Sequence, residues 1–280
     1  AWATSAPEAQ FARGVLWRVT RNSKPAGYVF GTIHVADPRL ASLPAPVAEA
    51  FDTTRSLTVE FTAGAYSRER FLEAAMFLDQ QTLEDKIGAR DFERVVEHLA
   101  PIGLSREFVL KLKPWGVLVN LRNPRSVART PVPTLDEQLY ARARARRLAL
   151  HTMENVEEQV FTFDEFPMDS QVALLRDALA HQAELAEMTE RTLEAYLARD
   201  LDAIWRVQED YVRRHPGIAP HNAVFMKRVI TDRSVVMAFR MQRQLRYGNA
   251  FVALGALHLY GAKGVLALLE QDGYRVHRVY

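Results

Sequence analysis

Two apolar segments near opposite ends of the chain share the same ending, and this pairing constrains the fold more than any other feature. Residues 28–34 and 251–258 each begin as a run of aromatic and aliphatic residues and end in Gly-x-x-His. Such runs, bounded by glycine and followed by polar or turn residues, are typical of buried strands. Ligands of open α/β sheets bind beyond the carboxyl ends of strands. We therefore expect two neighbouring strands in one sheet, with His34 and His258 at the same edge.

The rest of the sequence predicts an α/β fold, because strand patterns lie at both ends of the chain and helical patterns lie between them. Strand patterns cover residues 15–20, 28–33, 56–61, 148–153, 250–254 and 274–279. Apolar residues recur at helical spacing over 68–78, 91–99, 115–121, 167–197, 200–214 and 219–244. We expect one domain, residues 1–280, with a mixed central β-sheet and a large helical insertion at roughly 66–246 between the N- and C-terminal strands.

Composition excludes several classes of site and partner. The 280 residues are 48% hydrophobic and 25% charged, which allows a sizeable core without cross-links. The chain has no cysteine, which excludes disulfides, thiolate metal ligands and a cysteine nucleophile. A net charge of +2 does not indicate a nucleic-acid partner. The sequence has no apolar run of the about 18 residues that a transmembrane segment needs.

The first seven residues predict where the protein works. They are rich in alanine and lack an initiator methionine, as expected of an end left after removal of a signal peptide. We expect a periplasmic or secreted protein, and a cytoplasmic location stays open.

A pair of histidines at one sheet edge indicates a metal site. Neutral imidazoles bind Zn, Mn, Co, Ni or Fe, and such a site also needs a carboxylate. Glu60 is the best candidate, because it stands inside the apolar segment 56–61, where an unpaired carboxylate is costly. A buried ion pair with Arg55 or Arg18 would remove the same cost.

Weaker signals complete the list of candidates. The sequence contains no His-Glu-x-x-His, no Gly-x-Ser-x-Gly, no P-loop and no Gly-x-Gly-x-x-Gly. Gly261 and Gly264 precede a helix and could expose amides to an anion, but the favoured interpretation is that they only turn the chain. Asp136 and Glu154 are possible site acids, and each could instead act at a helix N-terminus.

Taken together, several segments resemble the TraB/GumN family, relatives of the Tiki metalloproteases. The similar segments are residues 16–19, 30–38, 60, 134–139, 153–159, 251–261, 264–269 and 273–276. The family pattern of two Gly-x-x-His motifs and an essential acid falls on His34, His258 and Glu60. The resemblance implies a divalent metal ion, such as Zn, Mn or Co, held by these three residues.

The resemblance also implies residues around the metal. An acid-Arg-Asn motif of the family is similar to residues 232–234, where Ser234 replaces the usual asparagine. Arg233 would stabilise a developing oxyanion. The other residues expected near the ligands or the substrate are Asp136, Glu154, Asp232 and Tyr260.

These expectations favour metal-dependent hydrolysis of a peptide or a small-molecule substrate. His34 and His258 would hold the ion, and Glu60 would be a third ligand or the general base for a water molecule. Two alternatives stay open. One is a non-catalytic envelope protein that binds a ligand such as haem. The other is a metal-free esterase with histidine as general base and Glu60 orienting it.

Overall fold

A mixed six-stranded sheet forms the centre of the computed structural model, which describes residues 10–62, 64–122 and 132–280. The residues on which the predicted location rests, 1–7, lie outside these ranges. The spatial order of the strands is β4-β3-β5-β2-β1-β6. Their bounds are β1 Leu16–Arg21, β2 Lys24–Thr32, β3 Ser56–Val59, β4 Ala149–Thr152, β5 Ala250–Gly255 and β6 Arg275–Arg278.

The two strands that carry the Gly-x-x-His motifs are neighbours. β2 and β5 pair in parallel, with Thr32 opposite Gly255, and β3 pairs in parallel with β5 on its other side and with β4. β1 runs antiparallel to both β2 and β6. The carboxyl ends of β2, β3 and β5 therefore meet at one edge of the sheet, as the paired motifs predict.

Helices account for most of the remaining described chain. Before β4 they are α1 Ala45–Asp52, α2 Ala65–Ala74, α3 Leu83–Ile87, α4 Ala89–Leu99, α5 Arg106–Lys111, α6 Pro114–Arg122 and α7 Leu135–Ala145. After it they are α8 Val156–Asp164, α9 Met168–Ala180, α10 Gln182–Leu197, α11 Leu201–Arg214, α12 Ala219–Met226, α13 Arg233–Tyr247 and α14 Val265–Gln271. A π-helix, Lys227–Asp232, joins α12 to α13, and a 3-10 turn, Ala256–His258, follows β5. None of the helices within the described ranges is both long and apolar enough to cross a membrane.

The α/β class is confirmed, and the boundaries inside the helical region differ from the sequence expectation. β4 lies within the insertion at 66–246 and pairs with β3, as the strand pattern at 148–153 predicts. Residues 167–197 form two helices that meet at His181. The predicted helix at 219–244 contains the π-helical turn, which periodicity alone does not reveal.

An aromatic cluster fixes the strands that carry the candidate site. Phe251 of β5 lies 6.1 Å, between ring centroids, from Phe30 of β2 and 5.1 Å from Phe51 of α1, the latter edge to face. All three rings are fully buried. Edge-to-face pairs add about 0.5–1.5 kcal/mol beyond burial. The cluster therefore holds β2 and β5 at a defined separation before their carboxyl ends.

The glycine of the first motif is required by packing. A Cβ on Gly31 would lie 2.6 Å from Leu259 Cδ1 and 3.1 Å from Ala256 Cα. Both residues belong to the turn that carries His258. The bare backbone at Gly31 thus allows the second motif to pack directly on the first.

We expect Gly31→Ala to lower the free energy of unfolding by about 1–3 kcal/mol, because the added methyl group overpacks this contact. Urea denaturation followed by circular dichroism measures it. Gly217→Ala is the matched control, since a Cβ there meets nothing within 4 Å. Equal stability of the two variants would contradict the packing role.

Candidate metal centre

Three side chains converge on the space beside Gly255. A Cβ on this glycine would lie 3.3 Å from Glu60 Oε1, 3.5 Å from His258 Cδ2 and 3.8 Å from His34 Nε2. Glu60 directly follows β3, whereas His34 and His258 follow β2 and β5. His258 Nε2 lies 3.9 Å from Glu60 Oε1. The glycine of the second motif therefore leaves open the space that the two imidazoles and the carboxylate surround.

The buried His258 is oriented through its Nδ1 atom. Ser234 Oγ donates a hydrogen bond to the Ile230 carbonyl at 2.7 Å and lies 2.9 Å from His258 Nδ1. Since the single hydroxyl hydrogen goes to Ile230, the oxygen accepts from Nδ1–H. In the neutral ring this leaves the lone pair on Nε2, the nitrogen near Glu60. Metal-binding histidines are held in the same way, by a partner on the other ring nitrogen.

His34 is held from the same ring position but by a carboxylate. Its Nδ1 lies 3.1 Å from Asp136 Oδ2, and Asp136 Oδ1 accepts a hydrogen bond from Thr32 Oγ1 at 3.0 Å. Asp136 stands in the first turn of α7, whose N-cap is Thr134. The His34 side chain is 55% exposed, so the site opens to solvent on this side.

Glu60 is a buried carboxylate with a partner for each oxygen. Oε1 accepts the Gly255 N–H at 2.5 Å, and Oε2 accepts from Arg233 Nη2 at 2.7 Å. Its ion pair is thus with Arg233, and the alternatives Arg55 and Arg18 are wrong. Burial by itself raises the pKa of Glu60, but nearby positive charge and the Gly255 N–H hold it at about 2.

Arg233 bridges two glutamates. Its Nε and Nη2 donate to the two oxygens of Glu154 at 2.8 and 2.7 Å, in addition to the Glu60 contact, and Nη1 donates to the Val229 carbonyl at 3.0 Å. Glu154 is not a helix cap, because Asn155 caps α8. The buried Glu154 instead forms a bidentate ion pair with the Arg233 guanidinium, which fixes the orientation in which Arg233 contacts Glu60.

The remaining two sequence-predicted residues lie outside this constellation. Both oxygens of Asp232 contact Lys227 Nζ, at 2.8 and 2.7 Å, and the Asp232 side chain is largely exposed. Tyr260 donates to Asp202 Oδ1 at 3.1 Å and lines a cavity of about 550 Å³ that also touches Ser234. Tyr260 therefore lies near Ser234, the residue that orients His258, whereas Asp232 forms an exposed ion pair with Lys227.

Sequence reasoning missed the contribution of Ser234 and of the π-helix before it. The π-helical turn places Val229 and Ile230 so that their carbonyls accept from Arg233 and Ser234. π-helical turns are frequently found at functional sites. The available signal was the position of Ser234 directly after Arg233.

The two histidines differ in their electrostatic surroundings. Burial lowers the pKa of His258 to about 4, and the nearby Glu60 carboxylate only partly offsets this. Partial burial also lowers the pKa of His34, but the contact with Asp136 and the charges of Asp136 and Glu60 raise it to about 9. The raised value reflects surplus negative charge around His34, since two carboxylates, Asp136 and Glu60, act on this ring against the single guanidinium of Arg233. Negative charge of this kind favours the approach of a cation over that of an anion.

Comparison with known proteins matches residues 15–278 to the model of the TraB/PrgY/gumN family. Metalloprotease TIKI2 of Xenopus tropicalis is 26% identical, over 93% of this chain and 59% of its own length. Metalloprotease TIKI1 of Danio rerio is 25% identical, over 98% of this chain and 64% of its own length. The chain thus spans about three fifths of the length of these curated relatives. No solved structure matches it.

We expect the metal-free chain to lose stability in mild acid through His258. Its pKa is about 4 in the folded chain against 6.5 for the ordinary side chain, so the unfolded state binds the extra proton between these values. The contribution of neutral His258 to the free energy of unfolding is complete above pH 6.5. Lowering the pH from 7 to 4 reduces the free energy of unfolding by roughly 2–3 kcal/mol.

Urea denaturation in the presence of chelator, at pH 7 and at pH 4, tests this prediction. The wild type is compared with His258→Asn, whose side-chain amide can still donate to Ser234 but does not titrate. The loss on acidification should be smaller in the variant by that amount. Equal losses in the two proteins would show that His258 is not held neutral.

Proposed function

Because this chain belongs to the TraB/PrgY/gumN family, we propose that it is a metal-dependent hydrolase that cleaves peptide bonds. The observation that carries the proposal is the convergence of Glu60, His258 and His34 on the open space beside Gly255. The two similar proteins are both named metalloproteases, which supports the same reaction class.

The donor set fits a divalent ion of the Zn, Mn or Co type. Two imidazole nitrogens and one carboxylate oxygen are three protein ligands, as in catalytic zinc sites with one position open to water or substrate. Glu60 Oε1 accepts the Gly255 N–H, keeps a second lone pair and lies 3.9 Å from His258 Nε2, while Oε2 accepts from Arg233. This division of the two oxygens favours Glu60 as the third ligand over Glu60 as the general base.

The surrounding residues position these ligands. Asp136 directs the His34 ring, Ser234 directs the His258 ring, and Arg233 directs the Glu60 carboxylate. When bound, the ion would lower the pKa of a water molecule and polarise the carbonyl to be cleaved.

Arg233 has a second proposed task, the stabilisation of negative charge on the carbonyl oxygen. Three of its described hydrogen bonds go to the two glutamates and one goes from Nη1 to Val229. Nη1 carries two hydrogens, so the second one is the donor that we assign to an oxyanion.

The open side of the site suits a large substrate. His34 is 55% exposed, whereas His258 and Glu60 are buried, so a substrate would approach past His34. A peptide segment can reach such a site without unfolding of the enzyme. A periplasmic or secreted location agrees with this substrate, and cell fractionation with an antibody against the chain would test it.

A metal-free esterase is the second candidate, favoured by the contact between His34 and Asp136. A half-exposed imidazole beside a carboxylate is the arrangement of a general base and its orienting group, and with the pKa of His34 at about 9 this ring is free to accept a proton only at alkaline pH. In this version Asp136, rather than Glu60, orients the base, because it is Asp136 that contacts Nδ1.

We expect His34→Ala, His258→Ala and Glu60→Ala each to reduce hydrolysis of a peptide library by more than about 100-fold. Loss of groups that merely orient metal ligands already costs about 10–100-fold. The double variant lacking both histidines should be no worse than either single one, because residues that act as a unit are not additive. A chelator should reproduce the loss in the wild-type chain, and added Zn, Mn or Co should reverse it.

The exposed His277→Ala variant is the control for histidine replacement, and circular dichroism excludes unfolding of each variant. Full activity in a metal-stripped sample would overturn the metal mechanism and favour the esterase. Absence of hydrolysis from every stable variant and from the wild type, with strong visible absorption after haem addition, would favour a haem-binding protein.

We expect Ser234→Ala to lower activity and metal affinity by about 10–100-fold, because the His258 ring loses the acceptor on Nδ1. Ser234→Asn should restore most of both, since its side-chain oxygen can accept the same hydrogen bond and the adjoining cavity has room for it. Calorimetric titration with Zn²⁺ and a peptidase assay measure the two quantities. Equal affinities in Ser234→Ala and wild type would remove Ser234 from the site.

A further inference from the structure

We propose that the helical region carries a second transition-metal site, formed by Asp177, His181 and His215. One ligand atom from each residue lies within 4.8 Å of the other two. The three residues belong to α9, α10 and α11 or to their ends, away from the sheet edge that carries His34, Glu60 and His258. The second site is therefore independent of the proposed function.

Asp177 and His181 are brought together by helical spacing. They stand four residues apart at the end of α9, where such residues share one face. His181 Nδ1 lies 3.0 Å from Asp177 Oδ1. Ligands at about 2.0–2.1 Å from a tetrahedral ion are separated by roughly 3.3 Å, so this hydrogen-bonded pair needs to open by only about 0.3 Å to hold an ion.

His215 reaches the same point from a different helix. It is the C-cap residue of α11, and its ring centroid lies 3.9 Å from that of His181. His181 is likewise the C-cap residue of α9. Because His181 is also the N-cap residue of α10, the opposite partial charges of α9 and α10 meet there, and only the C-terminal end of α11 at His215 adds partial negative charge that favours a cation.

The surroundings resemble the support that metal ligands need. Tyr211 donates a hydrogen bond to Asp177 Oδ2 at 2.6 Å, which leaves Oδ1 toward His181. Glu184 Oε2 lies 2.9 Å from His215 Nε2 and adds a second carboxylate beside the imidazole pair. Such outer hydrogen bonds orient ligands and raise their affinity for the ion.

The donor set and the exposure identify the class of ion. Two imidazoles with carboxylate oxygens suit Zn²⁺ and its neighbours Co²⁺ and Ni²⁺ rather than Mg²⁺ or Ca²⁺. Asp177 is 9% exposed and His215 16%, whereas His181 is 32% exposed and gives access from solvent. Binding needs the lone pair on His181 Nδ1, so the ring proton moves to Nε2. The imidazole stays neutral in this change of tautomer.

Titration of the chelator-treated full chain with Zn²⁺ in a calorimeter, and with Co²⁺ by visible absorption, tests the proposal. We expect the wild type to bind two equivalents of metal ion per chain, one at this site and one beside Gly255. His181→Ala and His215→Ala should each lose the ion of the second site and keep the ion beside Gly255. His34→Ala should lose the ion beside Gly255 and keep the other. Tyr211→Phe should weaken binding at the second site by about 10–100-fold.

The exposed His98→Ala variant is the matched control and should keep both equivalents. A single equivalent that survives in His34→Ala and disappears in His181→Ala would support the second site while the proposed function fails. Retention of the wild-type stoichiometry and affinity in stably folded His181→Ala and His215→Ala would overturn the second site. The second site would also be overturned if the wild type bound a single equivalent of metal ion and His34→Ala lost it.

Discussion

The parallel pairing of β2 with β5 is the constraint on which the candidate site depends. It sets Thr32 opposite Gly255, so that two motifs from opposite ends of the sequence end at the same edge. β3 lies on the other side of β5 and brings Glu60 to the same edge. Gly31 and Gly255 then serve different purposes, since the first admits the turn of the second motif and the second leaves space for the ligands.

Burial of charge at this edge is tolerated because each charged group has an opposite partner. An isolated carboxylate would be costly there, but Arg233 joins Glu60 and Glu154, and His34 contacts Asp136. The surplus of negative charge raises the pKa of His34, while deeper burial lowers the pKa of His258. A divalent cation beside Gly255 would balance that surplus, which is the physical basis of the proposed metal centre.

Much of this arrangement was predictable from the sequence. Strand patterns that end in Gly-x-x-His predicted the neighbouring strands and the position of His34 and His258, and the cost of an acid in an apolar strand identified Glu60. The resemblance to a family supplied Arg233. The partner of Glu60 was not predictable, because Arg233 reaches it from a helix 173 residues later in the chain. Nor were the π-helical turn and the role of Ser234, since both depend on tertiary contacts that local periodicity does not encode.

We propose that Glu60, His34 and His258 bind one ion beside Gly255. Anomalous diffraction from crystals of the chain soaked in Zn²⁺ or Co²⁺ tests it most directly. We expect a peak about 2.0–2.2 Å from an oxygen of Glu60 and a ring nitrogen of each histidine. A peak elsewhere, with the space beside Gly255 free of metal at saturating concentration, would contradict it.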